Sequence, residues 1–184
     1  MKIQILNLED DPDGRSTQKL IIEKIFVPKL SQKDEVSIIN GGYLTETEKL
    51  LSGWIPEAQN ISFIVADATL DWAKDSRGDG GNGFLIVSRR LQKIGEDALT
   101  NNNLDLLKRL KGITVFTNTS QETNINLNFA PYRELTETCQ KLGIILVDNP
   151  RKSSFDLVEL MSQDIERRTL GRGESPYAHP QTKK

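Results

Sequence analysis

The sequence predicts an α/β protein built on a doubly wound parallel sheet. Five short apolar, β-prone runs are spread along its 184 residues. Amphipathic helical patterns separate them. Several of the runs end abruptly in carboxylates or turn formers. Strands that alternate with helices imply βαβ units, and such a sheet is covered on both faces.

Lys2 to Leu8 is the first strand, and Glu9-Asp10-Asp11-Pro12-Asp13-Gly14 ends it with acids and turn formers. A helix from Ser16 to Phe26 follows, with Leu20, Ile21, Ile22, Ile25 and Phe26 on one broad apolar face. Asp13 or Ser16 is its expected cap. Glu35 to Ile39 is a short strand, Asn40-Gly41-Gly42 a turn, and Thr45 to Leu51 a short helix. The third strand, Ile61 to Ala66, runs into Asp67. A long polar, glycine-rich loop then leads to a helix from Phe84 to Lys93. Gly95 to Asn103 reads as an inserted loop and Leu104 to Leu110 as a short helix. Ile113 to Thr117 is the fourth strand. Tyr132 to Leu142 is a helix that Gly143 suits as a C-terminal cap. Ile144 to Val147 is the fifth strand, ending in Asp148-Asn149-Pro150, and Ser153 or Ser154 caps a last helix from Phe155 to about Arg168. Residues 1–170 are thus expected to form one domain with enlarged loops, and 171–184 a flexible tail.

Right-handed crossovers leave few arrangements for five such strands, and the flavodoxin-like (βα)5 order 2-1-3-4-5 is the natural one. Ligands collect at the carboxyl edge of such a sheet. In that order the ends of strands 1, 3, 4 and 5 adjoin, which gathers Glu9, Asp10, Asp67, Thr117 and Asn149.

Composition narrows the chemistry. With 36% hydrophobic and 27% charged residues the chain is globular. Its net charge of -2 gives no drive toward nucleic acid or an anionic membrane. The N-terminus opens directly as a strand without a signal-peptide core, so cytoplasmic residence is expected. One cysteine, Cys139, excludes an internal disulfide, and with one histidine it excludes the usual zinc sets.

Three carboxylates held close together repel unless a cation neutralises them. Hard oxygen ligands in an incomplete cage suit Mg²⁺, which keeps waters and accepts a phosphoryl oxygen. Aspartate is a phosphoryl-accepting nucleophile. A hydroxyl at Thr117 is suited to hydrogen-bond a phosphoryl oxygen on the side away from the metal.

On these residues the chain resembles a response-regulator receiver domain of two-component signalling, from Lys2 to about Arg168. The most specific piece is Ile5-Leu6-Asn7-Leu8-Glu9-Asp10-Asp11-Pro12. The resemblance implies that Glu9 and Asp10 are the metal-binding acidic pair and Asp67 the phosphoacceptor. It also implies that Thr69 offers its backbone carbonyl to the metal and that Thr117 is the hydroxyl residue ending strand 4. Gly83-Phe84 is similar to the glycine that opens the family's third helix. The family places a lysine before a proline at the end of strand 5, where this chain has Asn149-Pro150. Asparagine donates a hydrogen bond but carries no charge. An Asn before Pro is also an ordinary turn residue. Leu146 stands where the family often has a switching Tyr or Phe.

The expected function is therefore a stand-alone receiver. A histidine kinase or phosphotransfer protein modifies Asp67 with Mg²⁺ present, and an unknown output protein reads the change. Such a protein is a phosphoacceptor switch rather than a turnover enzyme. The alternative is a pseudo-receiver, a constitutive protein-interaction module without phosphorylation.

Other motifs carry less. Gly78-x-Gly80-x-x-Gly83 has the dinucleotide-fingerprint spacing, but a long charged segment separates it from the strand it should follow. Asp71 is a loop acid and a rival acceptor if strand 3 ends later. Trp72 is either a cover over the acids or a surface anchor, and His179 lies in the tail.

Overall fold

The structure, a computed structural model, describes residues 1–57, 60–71, 82–118, 129–149 and 153–170. Trp72, the glycines at 78, 80 and 81, residues 150–152 and the tail with His179 lie outside them.

Five strands form one parallel sheet: β1 (Lys2–Leu8), β2 (Glu35–Gly41), β3 (Asn60–Asp67), β4 (Ile113–Asn118) and β5 (Ile145–Asn149). Their order is β2-β1-β3-β4-β5, the doubly wound flavodoxin-like arrangement that the alternation of strands and helices predicts. The helices are α1 (Pro12–Ile21), α2 (Leu44–Gly53), α3 (Asn82–Thr100), α4 (Leu104–Leu110), α5 (Ala130–Leu142) and α6 (Ser154–Thr169). Among the described residues no helix is long and apolar enough to cross a membrane.

Side chains alternate across each strand, so the sheet builds two cores. On one face Leu6, Leu8, Ile64, Ala66 and Val115 pack with Leu51 of α2, Leu91 of α3 and Leu135 of α5. On the other, Ile3, Ile5, Phe63, Val65, Phe116 and Val147 pack with Ile22, Phe26, Leu157 and Met161. Phe63 and Phe116 meet edge to face, their centroids 5.4 Å apart. Burying a side chain of this size contributes roughly 1.5–3 kcal/mol.

Several boundaries differ from the sequence expectation; β5, for one, runs to Asn149 rather than Val147. The first helix begins at Pro12, not Ser16, and Asp11 caps it by accepting from the backbone N–H groups of Asp13 and Gly14. Proline needs no N–H partner in a first turn, so Asp11-Pro12 starts a helix rather than a loop. Beyond Ile21 the chain widens into a π turn (Ile22–Phe26) and then tightens into a 3₁₀ turn (Val27–Lys29). β2 continues to Gly41, taking in two residues expected in a turn.

Of the stretch Gly95 to Asn103, expected as an inserted loop, Gly95 to Thr100 is the end of α3, and only the three asparagines that follow form a turn. Gly95 serves packing there: a Cβ would come within 2.6 Å of Leu142 Cδ2 on α5. The two helices are also joined through hydroxyls, with Ser88 and Thr138 2.8 Å apart and both buried.

Candidate functional site

The end of β1 and the end of β3 are neighbours because Leu8 pairs with Ala66. The residues that follow, Glu9 and Asp67, are both buried, and Asp10 is partly exposed. Each of the three offers a carboxylate oxygen, and these oxygens lie within 4.8 Å of one another. They line an open pocket of about 530 Å³ together with Asp11, Thr17, Gln18, Thr69, Asn118 and Ser154.

The surroundings hold the carboxylates of Glu9 and Asp10 in place. The Glu9 backbone N–H donates to Gly41 O at 3.1 Å, continuing the ladder past β1. Glu9 Oε2 accepts from Asn118 Nδ2 at 3.1 Å and from Gln18 Nε2 at 3.4 Å, while Oε1 accepts from the Asp11 N–H at 3.4 Å. Arg15 spends a guanidinium N–H on the Glu9 carbonyl at 2.9 Å. Asp10 Oδ2 accepts from the Asp71 N–H at 2.6 Å, which fastens the chain after β3 to the end of β1. Gly83 comes so close to the Asp67 backbone that a Cβ would stand 1.9 Å from the Asp67 carbonyl oxygen. That approach allows no side chain.

Glu9, Asp10, Asp67 and Thr69 share the pocket, as their strand-end positions suggest. Thr117 does not join them. Asp67 pairs with Asn118, and Asn118 with Asn149, so these three project to one side of the sheet. Thr117 is one residue back and projects to the other, where its hydroxyl donates to Asp148 Oδ1 at 2.6 Å. Asp148 Oδ2 accepts from the Tyr132 phenol at 2.8 Å. Burial, and then the carboxylate beside it, push the Tyr132 pKa up from its ordinary value.

Asn149 is buried on the acid side, but its amide is directed elsewhere. Nδ2 donates to Asn118 Oδ1 at 3.2 Å and to Ser153 O at 3.1 Å. An amide nitrogen has two hydrogens, so both are used. A chain of amides thus runs from Glu9 through Asn118 and Asn149 to Ser153, the N-cap of α6.

Sequence reasoning missed Asn118 and Gln18. The signal for Asn118 is strand parity: Phe63, Val65 and Asp67 share a face with Phe116 and hence with Asn118. In strands buried on both sides the apolar pattern does not reveal that parity. Gln18 carries no motif and is found only by its burial against Glu9.

No protein-family model matches this chain, and no curated protein matches it. The donor set itself suits a hard divalent cation. It comprises three carboxylates within reach of one ion, in a pocket roomy enough for water and an anionic group. A cation there relieves their mutual repulsion.

Proposed function

We propose that this chain is a single-domain response regulator. Asp67 accepts a phosphoryl group from a histidine kinase or phosphotransfer protein. Mg²⁺ is held by Glu9, Asp10, Asp67 and the Thr69 backbone carbonyl. The carrying observation is the convergence of Glu9, Asp10 and Asp67 at the carboxyl edge of a sheet of order 2-1-3-4-5. In the transfer, an Asp67 carboxylate oxygen bonds to phosphorus as the bond from phosphorus to the donor imidazole nitrogen breaks. The electron pair leaves on that nitrogen. The cation supplies neutralisation of the charge on the phosphoryl oxygens. Asn118 has a second Nδ2 hydrogen beyond the one given to Glu9, suited to a phosphoryl oxygen beside Asp67. The added charge and acceptor oxygens bias a surface that an output protein reads, in the cytoplasm, so the chain acts as a switch rather than a turnover enzyme.

One observation favours a second reading, a pseudo-receiver that binds its partner without phosphorylation. The Asn149 amide is committed to Asn118 and Ser153 and offers no donor to a phosphoryl group. Incubation with Mg²⁺ and acetyl phosphate, followed by intact mass, separates the two readings. The wild type should gain the mass of one phosphoryl group and Asp67→Asn none. A wild type that stays unmodified sinks the switch and leaves the interaction module.

A further inference from the structure

The acid pocket contains a buried amide that neither the switch nor the pseudo-receiver uses. Gln18, on α1, is only 3% exposed and lines the pocket with Glu9, Asp10 and Asp67. Its Nε2 donates to Glu9 Oε2, which fixes the amide orientation, because the reverse would set two oxygens against each other. Its Oε1 is buried with no hydrogen-bond partner among the described residues. A buried carbonyl left unmatched costs about 1–3 kcal/mol. Such an atom calls for a donor supplied by water or a ligand.

We infer that Gln18 is an outer ligand of the cation site, accepting a hydrogen bond at Oε1 from a water carried by the bound divalent cation. The inference rests on the reading of Glu9, Asp10 and Asp67 as a metal site and adds a residue to it. Mg²⁺ dehydrates reluctantly and keeps several waters, whereas larger Ca²⁺ takes more oxygen ligands in a flexible shell. Water on a divalent cation is polarised and donates strongly. Gln18 touches both parts of such a shell: its nitrogen steadies the Glu9 carboxylate, and its oxygen receives a cation's water. It therefore contributes to preference between cations as well as to affinity.

The test is calorimetric titration of the full chain with MgCl₂ and with CaCl₂, for the wild type and for Gln18→Met, which keeps the length and removes both polar atoms. Loss of an outer ligand typically lowers metal affinity 10–100-fold. For Gln18→Met, Mg²⁺ binding should weaken about 10-fold, at the low end of that range, and Ca²⁺ binding clearly less. Gln18→Leu, judged folded by its far-ultraviolet circular dichroism, repeats the measurement if the methionine variant does not fold. An equal loss for both cations means that Gln18 only positions Glu9, and overturns the inference while the metal site stands. Unchanged binding overturns it too. If the wild type binds neither cation, the reading of the acids as a metal site fails first and the inference falls with it.

Discussion

The same edge of the sheet carries carboxylates on both of its faces, and the two sets are managed in opposite ways. Asp148 has a hydroxyl for each oxygen, from Thr117 and from Tyr132, and the three make a closed clamp between β4, β5 and α5. Glu9, Asp10 and Asp67 instead face one another across an open pocket. Donors converge on Glu9 from Asn118, Gln18 and Asp11, but no arrangement of amides removes the charge of three acids. The first set is completed by the fold, and the second, on the proposed reading, by a cation. What assigns a residue to one or the other is strand parity: Thr117 and Asp148 point one way, Asn118 and Asn149 the other.

The sharpest way to disturb both faces together is at Gly83. Its N–H donates to Ala68 O at 3.2 Å, and the next residue, Phe84, packs on Tyr132 with centroids 6.1 Å apart. Gly83→Ala sets a methyl against the Asp67 carbonyl, and overpacking of this kind costs about 3 kcal/mol. Thermal melting should fall by roughly 10 °C for a chain of this size. Cation affinity should fall with it, because the Asp67 backbone must move. A Gly83→Ala protein that melts like the wild type would show that α3 does not bear on Asp67.

Substitutions one residue apart in β4 separate the faces. Asn118→Leu removes a donor to the buried Glu9 and an acceptor from Asn149, at a cost of about 2 kcal/mol. It should also weaken Mg²⁺ binding about 10-fold in calorimetry. Thr117→Val takes one hydroxyl from Asp148 and should cost about 1 kcal/mol by urea unfolding, with cation affinity unchanged. Equal losses of cation affinity in the two variants would erase the distinction between the faces.

This one-residue difference marks how far the sequence can be read. The five strands and their order are legible, because the apolar runs are short, bounded and separated by helical patterns. Glu9, Asp10 and Asp67 are legible because they stand at the end of such a run or within two residues of it. Asn118 is not, since β4 is buried throughout and its apolar residues do not say which way Thr117 points. Gly95 misleads for a different reason: a glycine looks like a helix stop until Leu142 is seen to occupy the space of its side chain. Asp11-Pro12 looks like a turn until the cap shows that it opens α1. In each case a tertiary neighbour supplies the meaning that local chemistry lacks.

The smallest effect concerns the clamp alone and shows itself only in alkali. The Tyr132 pKa is raised in the fold, first by burial and then by the Asp148 carboxylate. A group whose folded pKa lies above its unfolded value contributes stability that is fully present below the unfolded value. That value is near 10 for a tyrosine, and the contribution is lost as pH rises through it toward the folded value. Cys139, pushed up to about 12 by burial, acts in the same sense from its ordinary value of 9.0, so it must be held constant between the proteins compared. The comparison is wild type against Tyr132→Phe, both retaining Cys139, by urea midpoint at about pH 8 and about pH 10.5. At the lower pH the wild type should be the more stable, because the phenol hydrogen bond to Asp148 is intact. At the higher pH that advantage should shrink, since the unfolded wild type sheds a proton that the folded clamp retains. Among the described residues no tyrosine lines the acid pocket, so its cation affinity should be the same in the two proteins. An advantage that persists undiminished into alkali would mean that Tyr132 does not hold its proton against Asp148, and the clamp would lose its claim to be the closed counterpart of the pocket.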